Sequence, residues 1–359
     1  SVEVVDVANG GSEPETITSI KYNAPLDYAS QGRCVTTEDY KVYAKKLYAN
    51  AQSVQVFGGE NGSFDSSLGV VSAAEYGKVF ISIVTTTGLN LTASEKKQLV
   101  ADFAKYTVAS ITPVIVDPET TFLILNVSFK YDSNRTSLAS SQIESEVVSA
   151  ITSYNTNNLG EFEQLFRHSQ VTRLIDDAQD SILSNTTNIT LGKLFTPTTT
   201  AATSYYIYFN NALYNPHSGH NASAGGILAS TGFFISGDTT NEHFLDDNGA
   251  GIVRLYYLQV GERVYVDSTA GTIDYATGEV FIESIFITTI SDVDGVASTQ
   301  VRLTVIPNSK DIAPVRNQLL KIDLTNTTVT GQVDTVAVGD GSAGGTYTTN
   351  TSYSTPSGY

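Results

Sequence analysis

The side chains best suited to chemistry sit late in the chain. His217-Ser218-Gly219-His220 places two imidazoles three apart in a glycine-containing loop, and His243 follows. Asp238, Glu242, Asp246 and Asp247 lie close by in sequence. Two imidazoles and a carboxylate would be a zinc-type donor set. The spacing matches no defined ligand pattern, so an ordinary polar loop is the stronger reading, and no metal or cofactor is expected. Asp292-Val293-Asp294-Gly295 resembles the start of a calcium loop but lacks the later ligands. A β-turn is the simpler reading. Asp176 and Asp177 have the types of a general acid and base, yet neighbours on a helix point apart. Cys34 precedes a helix start, where a thiol pKa can fall. As a lone cysteine it reads more simply as a small core residue. No serine elbow with a companion histidine and no glycine-rich phosphate loop is present. The chain is therefore not expected to be an enzyme.

Composition narrows the classes further. The 359 residues allow one to three domains. Only 16% are charged, and Tyr, Thr, Ser, Asn and Gly take their place, a mix suited to β-rich, polar contact surfaces. A formal net charge of −17 opposes direct nucleic-acid binding. One cysteine precludes an intrachain disulfide and suggests a reducing compartment. No apolar run is long enough for a bilayer, so no membrane insertion is expected. The chain opens at Ser1 without a signal peptide and contains no Met, which suggests a processed product or a piece of a longer protein. N-x-S/T sites at Asn90, Asn126, Asn134, Asn185, Asn188, Asn221 and Asn326 arise by chance in such a composition, and several fall in expected strands.

The elements that would position function begin with Lys21–Tyr48. Thr36 reads as an N-cap, with Glu38 and Asp39 in the first turn. Val35 and Tyr40 have staple spacing. Tyr40, Tyr43, Ala44 and Leu47 form one apolar face, and Lys45 and Lys46 fall near the carbonyl end. Arg33 has two readings. It clamps a carboxylate such as Asp39, or it is an exposed rim arginine.

Three motifs in this stretch carry a resemblance: Asn23-Ala24-Pro25, then Tyr28-Ala29-Ser30-Gln31-Gly32-Arg33, then Val35-Thr36-Thr37-Glu38-Asp39-Tyr40. The segment resembles the entry segment of contractile-tail phage baseplate proteins, the J-like wedge group that includes the gene product six family of T4-like phages, in its C-terminal portion. Leu159, Phe162, Phe166 and a Ser169–Leu174 helix, and the hairpin Gly271–Glu283, look like later parts of the same family. The resemblance implies a structural, non-catalytic subunit of the virion tail baseplate, made in the host cytoplasm. It implies self-association as a dimer within a ring around the tail hub, contacts with other wedge proteins, and rearrangement on contraction. Asn23, Pro25, Tyr28, Gln31, Arg33, Val35, Thr36, Asp39 and Tyr40 are the candidate interface or structural-motif residues.

Along the remaining chain the patterns predict an α+β fold. Residues 1–20 read as an incoming strand, Val2–Val7, and a linker around Asn9–Pro14. Residues 21–195 read as a baseplate-like helix/sheet sandwich. Its expected strands are Ser53–Phe57, Lys78–Thr85, an edge piece Val114–Val116 between Pro113 and Pro118, and Phe122–Tyr131. Its expected helices start at capping boxes Thr92–Glu95 and Ser141–Glu144, with a short helix over Glu161–Phe166 and another capped by Ser169. Ile182–Leu194 reads as one long strand or a pair. After Thr196–Thr203, residues 196–323 read as a mostly antiparallel β domain, with a hairpin turning at Tyr275–Gly278. Residues 324–359 read as a flexible Gly/Ser/Thr-rich tail. The runner-up function is a secreted or cell-surface β-rich adhesin that binds glycans.

Overall fold

The computed structural model describes residues 17–61, 64–65, 70–71, 74–220, 225–292 and 296–337. The expected strand Val2–Val7, the joint Asn9–Pro14, the sequon Asn221, residues 293–295 of the acidic turn and the chain beyond 337 lie outside the described residues.

The first unit contains α1 (Ile17–Ser30), α2 (Thr37–Leu47), β1 (Ala51–Gly58), β2 (Phe64–Asp65), β3 (Val70–Val71), β4 (Lys78–Thr85), α3 (Ala93–Phe103) and β5 (Thr112–Val116). β4 lies between antiparallel β1 and parallel β5. Val54, Val56, Val79, Ile81 and Ile83 pack against Tyr40, Tyr43, Leu99 and Phe103 of the two helices. The expected alternation explains that face only. The other face of β4 is buried as well: Phe80 stacks on Phe57 at 5.5 Å, and Val84 meets Phe162 and Leu319. β5 takes the expected edge position, where Pro113 costs no ladder bond on a second neighbour.

The second unit opens with β6 (Glu119–Tyr131), α4 (Ser140–Asn158), α5 (His168–Asp176) and β7 (Ile182–Phe195). Leu123, Leu125, Val127 and Phe129 alternate onto one face of β6 and bury against Ile143, Val147 and Ile151 of α4 and Val171 and Ile175 of α5. Then come β8 (Thr203–Tyr208), β9 (Ala229–Ser230), β10 (Phe233–Ile235), β11 (Asp238–Asp247), β12 (Ile252–Gln259), β13 (Glu262–Asp274), β14 (Glu279–Ile285), β15 (Ile287–Ile290), β16 (Val301–Val305), β17 (Gln318–Ile322) and β18 (Thr328–Val333). One sheet runs β17-β6-β7-β16-β9-β11-β12-β13-β14-β8. Its far part curls until the chain beyond β8 meets the chain beyond β16 at the Leu213–Pro307 bridge, with Tyr214 N donating to Ile306 O at 2.9 Å. The fold is thus α+β and β-rich, as expected. The hairpin turns at 275–278 as the pattern predicts, with Asp274 opposite Glu279.

Several expectations need correction. Residues 17–30 form a helix that contains Pro25, so its first turn lies where the linker of residues 1–20 was expected. The tail does not begin at 324: β18 pairs in parallel with β6, Thr328 opposite Asn126 through Val333 opposite Tyr131. β17 joins the same strand further back, Gln318 opposite Glu119. The sheet therefore crosses the expected boundary at 195/196. α4 opens at Ser140, not at a Ser141 cap, and Gln142 Oε1 accepts the Ala139 amide at 3.0 Å. No helix covers 161–166. Phe166 instead bridges Ile312 in both directions, at 2.9 and 3.1 Å. α5 begins at His168, and the acceptor at its start is Asp311, not Ser169.

Candidate assembly surface

The sequence motif folds into a corner. α1 ends at Ser30, and Gln31 (φ 50°) and Gly32 (φ 80°) reverse the chain in left-handed conformations. Gly32 suits this because it lacks a Cβ. Cys34 then enters the core: its N–H donates to Tyr106 O at 2.8 Å and it bridges Thr107 beside α3. Burial, and secondarily the Asp39 carboxylate, push the Cys34 thiol up to about 12, which removes any role as a ready nucleophile. The Thr36 cap forms as expected. Thr36 Oγ1 accepts from Asp39 N at 3.3 Å, and Asp39 Oδ2 accepts from Thr36 N at 2.8 Å and Val35 N at 3.0 Å. Partial burial works against the Asp39 carboxylate, but those amides hold its pKa below the ordinary value. Tyr40 is fully buried, with its ring 5.8 Å from Phe103.

Gln31, Arg33, Val35, Thr36 and Asp39 line one open groove together with Leu26, Ala29, Ser30 and Glu38. Asn23, Pro25 and Tyr28 lie on α1, and Tyr40 lies beneath in the core. Two local readings fail here. Arg33 does not clamp Asp39 but takes its other reading, an exposed rim arginine: it forms none of the ion pairs found among the described residues, and the two cap amides share Asp39 Oδ2. The Val35–Tyr40 staple does not close, because Val35 is 54% exposed. Tyr28 is 87% exposed. The groove thus presents Arg33 and Val35 to solvent, and Tyr28 stands exposed on the adjoining α1.

The seam between the two units is mostly polar. Phe162 N donates to Ser53 Oγ at 3.2 Å, Gln52 Nε2 to Glu161 at 3.1 Å, and Lys41 reaches Glu163 at 3.4 Å. Among the described residues, Val84, Phe162 and Leu319 make an apolar cluster there.

The chemically suggestive residues separate. His217 and His220 meet at 3.3 Å. His243 is buried elsewhere, edge-on to Tyr257 and 3.7 Å from Asp238. Among the described residues no group of three or more His, Cys, Asp or Glu is placed to hold a metal. Asp176 accepts Asn185 Nδ2 at 2.7 Å while Asp177 turns toward Arg173 at 3.8 Å, so they form no acid–base pair. Asn126 and Asn188 face each other in β6 and β7 and are both exposed, while Asn185 Nδ2 donates to Thr172 O at 2.8 Å.

Two buried acids take roles that sequence spacing did not assign. Asp246 binds Arg254 at 2.9 Å, Arg263 at 2.6 Å and the Tyr265 hydroxyl at 2.9 Å. Asp247 accepts the amides of Ile227, Leu228 and Gly249 at 2.6, 2.7 and 3.0 Å, and the Tyr275 hydroxyl. The usable signal was the β11–β12 register, which sets Asp246 opposite Arg254.

Comparison with known proteins gives two family matches. Residues 36–116 match the model described as baseplate structural protein gp6, C-terminal domain I, and residues 119–194 match its C-terminal domain III. A curated relative, the baseplate wedge protein gp6 of Enterobacteria phage T4, is 26% identical over 183 residues, which is 51% of this chain. The chain spans 26% of that relative's length. A chain of the anti-feeding prophage baseplate, solved by cryo-EM with 6-fold symmetry, aligns at 13% identity and a TM-score of 0.30, over 49% of this chain and 37% of that one. A score that low establishes no common fold.

Proposed function

We propose, from the matches of residues 36–116 and 119–194 to C-terminal domains of the gp6 baseplate structural protein, that the chain is a wedge subunit of a contractile-tail phage baseplate. The paired family matches carry this reading. They fall on consecutive structural units that meet at the 116–119 connection. In this reading the protein sits in the virion tail, associates with itself as a dimer within a ring around the hub, and contacts other wedge proteins. The helix/sheet unit that ends with β5 and the β-rich unit that begins with β6 then act as its two building blocks. No catalytic step is assigned.

The geometry suits such work. Asn23, Pro25, Tyr28, Gln31, Arg33, Val35, Thr36 and Asp39 lie on or beside an accessible groove, with Tyr40 anchoring it. Aromatic and arginine side chains are the types enriched where proteins meet. The polar seam between the units supports a rearrangement on contraction, since small, polar interdomain contacts permit relative motion.

Size-exclusion chromatography with light scattering, alone and with the cognate wedge proteins, tests the reading. A dimer or ring that recruits those proteins supports it. A chain that stays monomeric and unbound in their presence overturns it.

A further inference from the structure

We propose that His217 and His220 form a two-imidazole chelate for a divalent transition-metal ion of the zinc, nickel or copper class. Nδ1 of His220 and Nε2 of His217 face each other at 3.3 Å, with ring planes at 89°. That separation is within reach of a ring–ring hydrogen bond, with the donor set by the tautomer. It is the bite of a chelate: a tetrahedral ion with metal–nitrogen bonds of about 2.0–2.1 Å holds two imidazole nitrogens about 3.3–3.4 Å apart.

The pair is also held in place. His220 N donates to His217 O at 3.1 Å, closing a turn in which Gly219 takes φ 77°. A positive φ at the third turn position favours glycine. Gly219 N donates to Gly249 O at 2.8 Å, and Asn215 Nδ2 donates to the same carbonyl at 3.1 Å. The Tyr214 ring supports His220 edge-on at 5.7 Å. Nδ1 of His217 lies 3.5 Å from Ser218 O. The net charge of −17 draws cations toward the surface.

No third donor among the described residues joins the pair. The ion therefore keeps positions open to solvent and binds more weakly than in closed structural sites. This inference is independent of the baseplate reading.

Calorimetric titration of the intact chain with zinc chloride tests it, with cobalt absorption as a second readout. The expected result is saturable one-to-one binding. His217→Ala and His220→Ala should each weaken it by at least roughly tenfold, because losing one arm of a chelate forfeits the effective concentration of the other. The turn is on the surface, so circular dichroism should stay unchanged in both variants. A parent protein with no saturable one-to-one event, or a double variant that binds like the parent, overturns the proposal.

Discussion

Asp311 caps a helix 143 residues away in sequence: its Oδ1 accepts the backbone amide of His168 at 2.9 Å, and its Oδ2 takes Arg167 at 3.0 Å. The first turn of α5 is thus completed by the segment leading to β17. The His168 amide, and then the Arg167 guanidinium, hold the Asp311 carboxyl below its ordinary value.

Asp311→Ala should destabilise the protein by about 1 kcal/mol, the usual cost of a lost N-cap acceptor. Because the folded-state pKa is depressed, this contribution is complete above the unfolded carboxylate value of about 3.9 and fades as pH falls through the folded value. Urea melts of parent and variant should differ at pH 7, and the gap should narrow as pH falls below about 3.9. A gap unchanged across that range would refute the capping role.

Thr36→Ala removes one side of the α2 box and Asp39→Ala the other. Each should cost about 1 kcal/mol, and the double variant less than the sum, because the two side chains serve the same turn. Thermal melts of the three variants decide this, and strict additivity would mean that the box is not one unit.

Arg33→Glu should shift unfolding free energy by no more than about 0.5 kcal/mol, as expected for an exposed, unpaired side chain. If the groove is an interface, the same variant, or Tyr28→Ala, weakens recruitment of wedge proteins. Native recruitment by both variants would remove the groove from the assembly surface.

Asp247→Ala strands three amides in the interior and should cost on the order of 3 kcal/mol. Tyr275→Phe removes one donor and should cost about 1 kcal/mol. Burial, and then the Asp247 carboxylate, raise the Tyr275 hydroxyl pKa, so its absorbance should not show phenolate at pH 11.

A chain ending at Asn326 lacks β18 and leaves the edge of β6 unpaired from Asn126 to Tyr131. Phe129 and the first turn of α4 also lose the strand beside them: Gly331 N donates to Glu144 at 2.8 Å and Ser140 Oγ to Gly331 O at 3.2 Å. We expect a clear fall in melting temperature and faster amide exchange in β6. Parent-like exchange would show that the strand adds nothing to the large unit.

What the sequence determined by itself was local. Caps at Thr36 and Thr92, the alternation of β4 and β6, the edge position of β5 and the hairpin at 275–278 all follow from chemistry within a few residues. The motif from Asn23 to Tyr40 stood out by its resemblance to baseplate proteins, and the groove beside it is built from one contiguous stretch, residues 26–39. Tertiary structure decided what distant segments supply. Asp311 displaced Ser169 as the acceptor for α5, Ile312 turned the expected 161–166 helix into a bridge, and β17 and β18 returned to complete a sheet begun near residue 119. Partners so far apart leave no periodic trace in the chain, since each pairing depends on backbone groups that any residue carries. The same holds for Arg33. Its type allowed a clamp or an exposed rim position, and the folded chain leaves it exposed beside a carboxylate turned into its own helix cap.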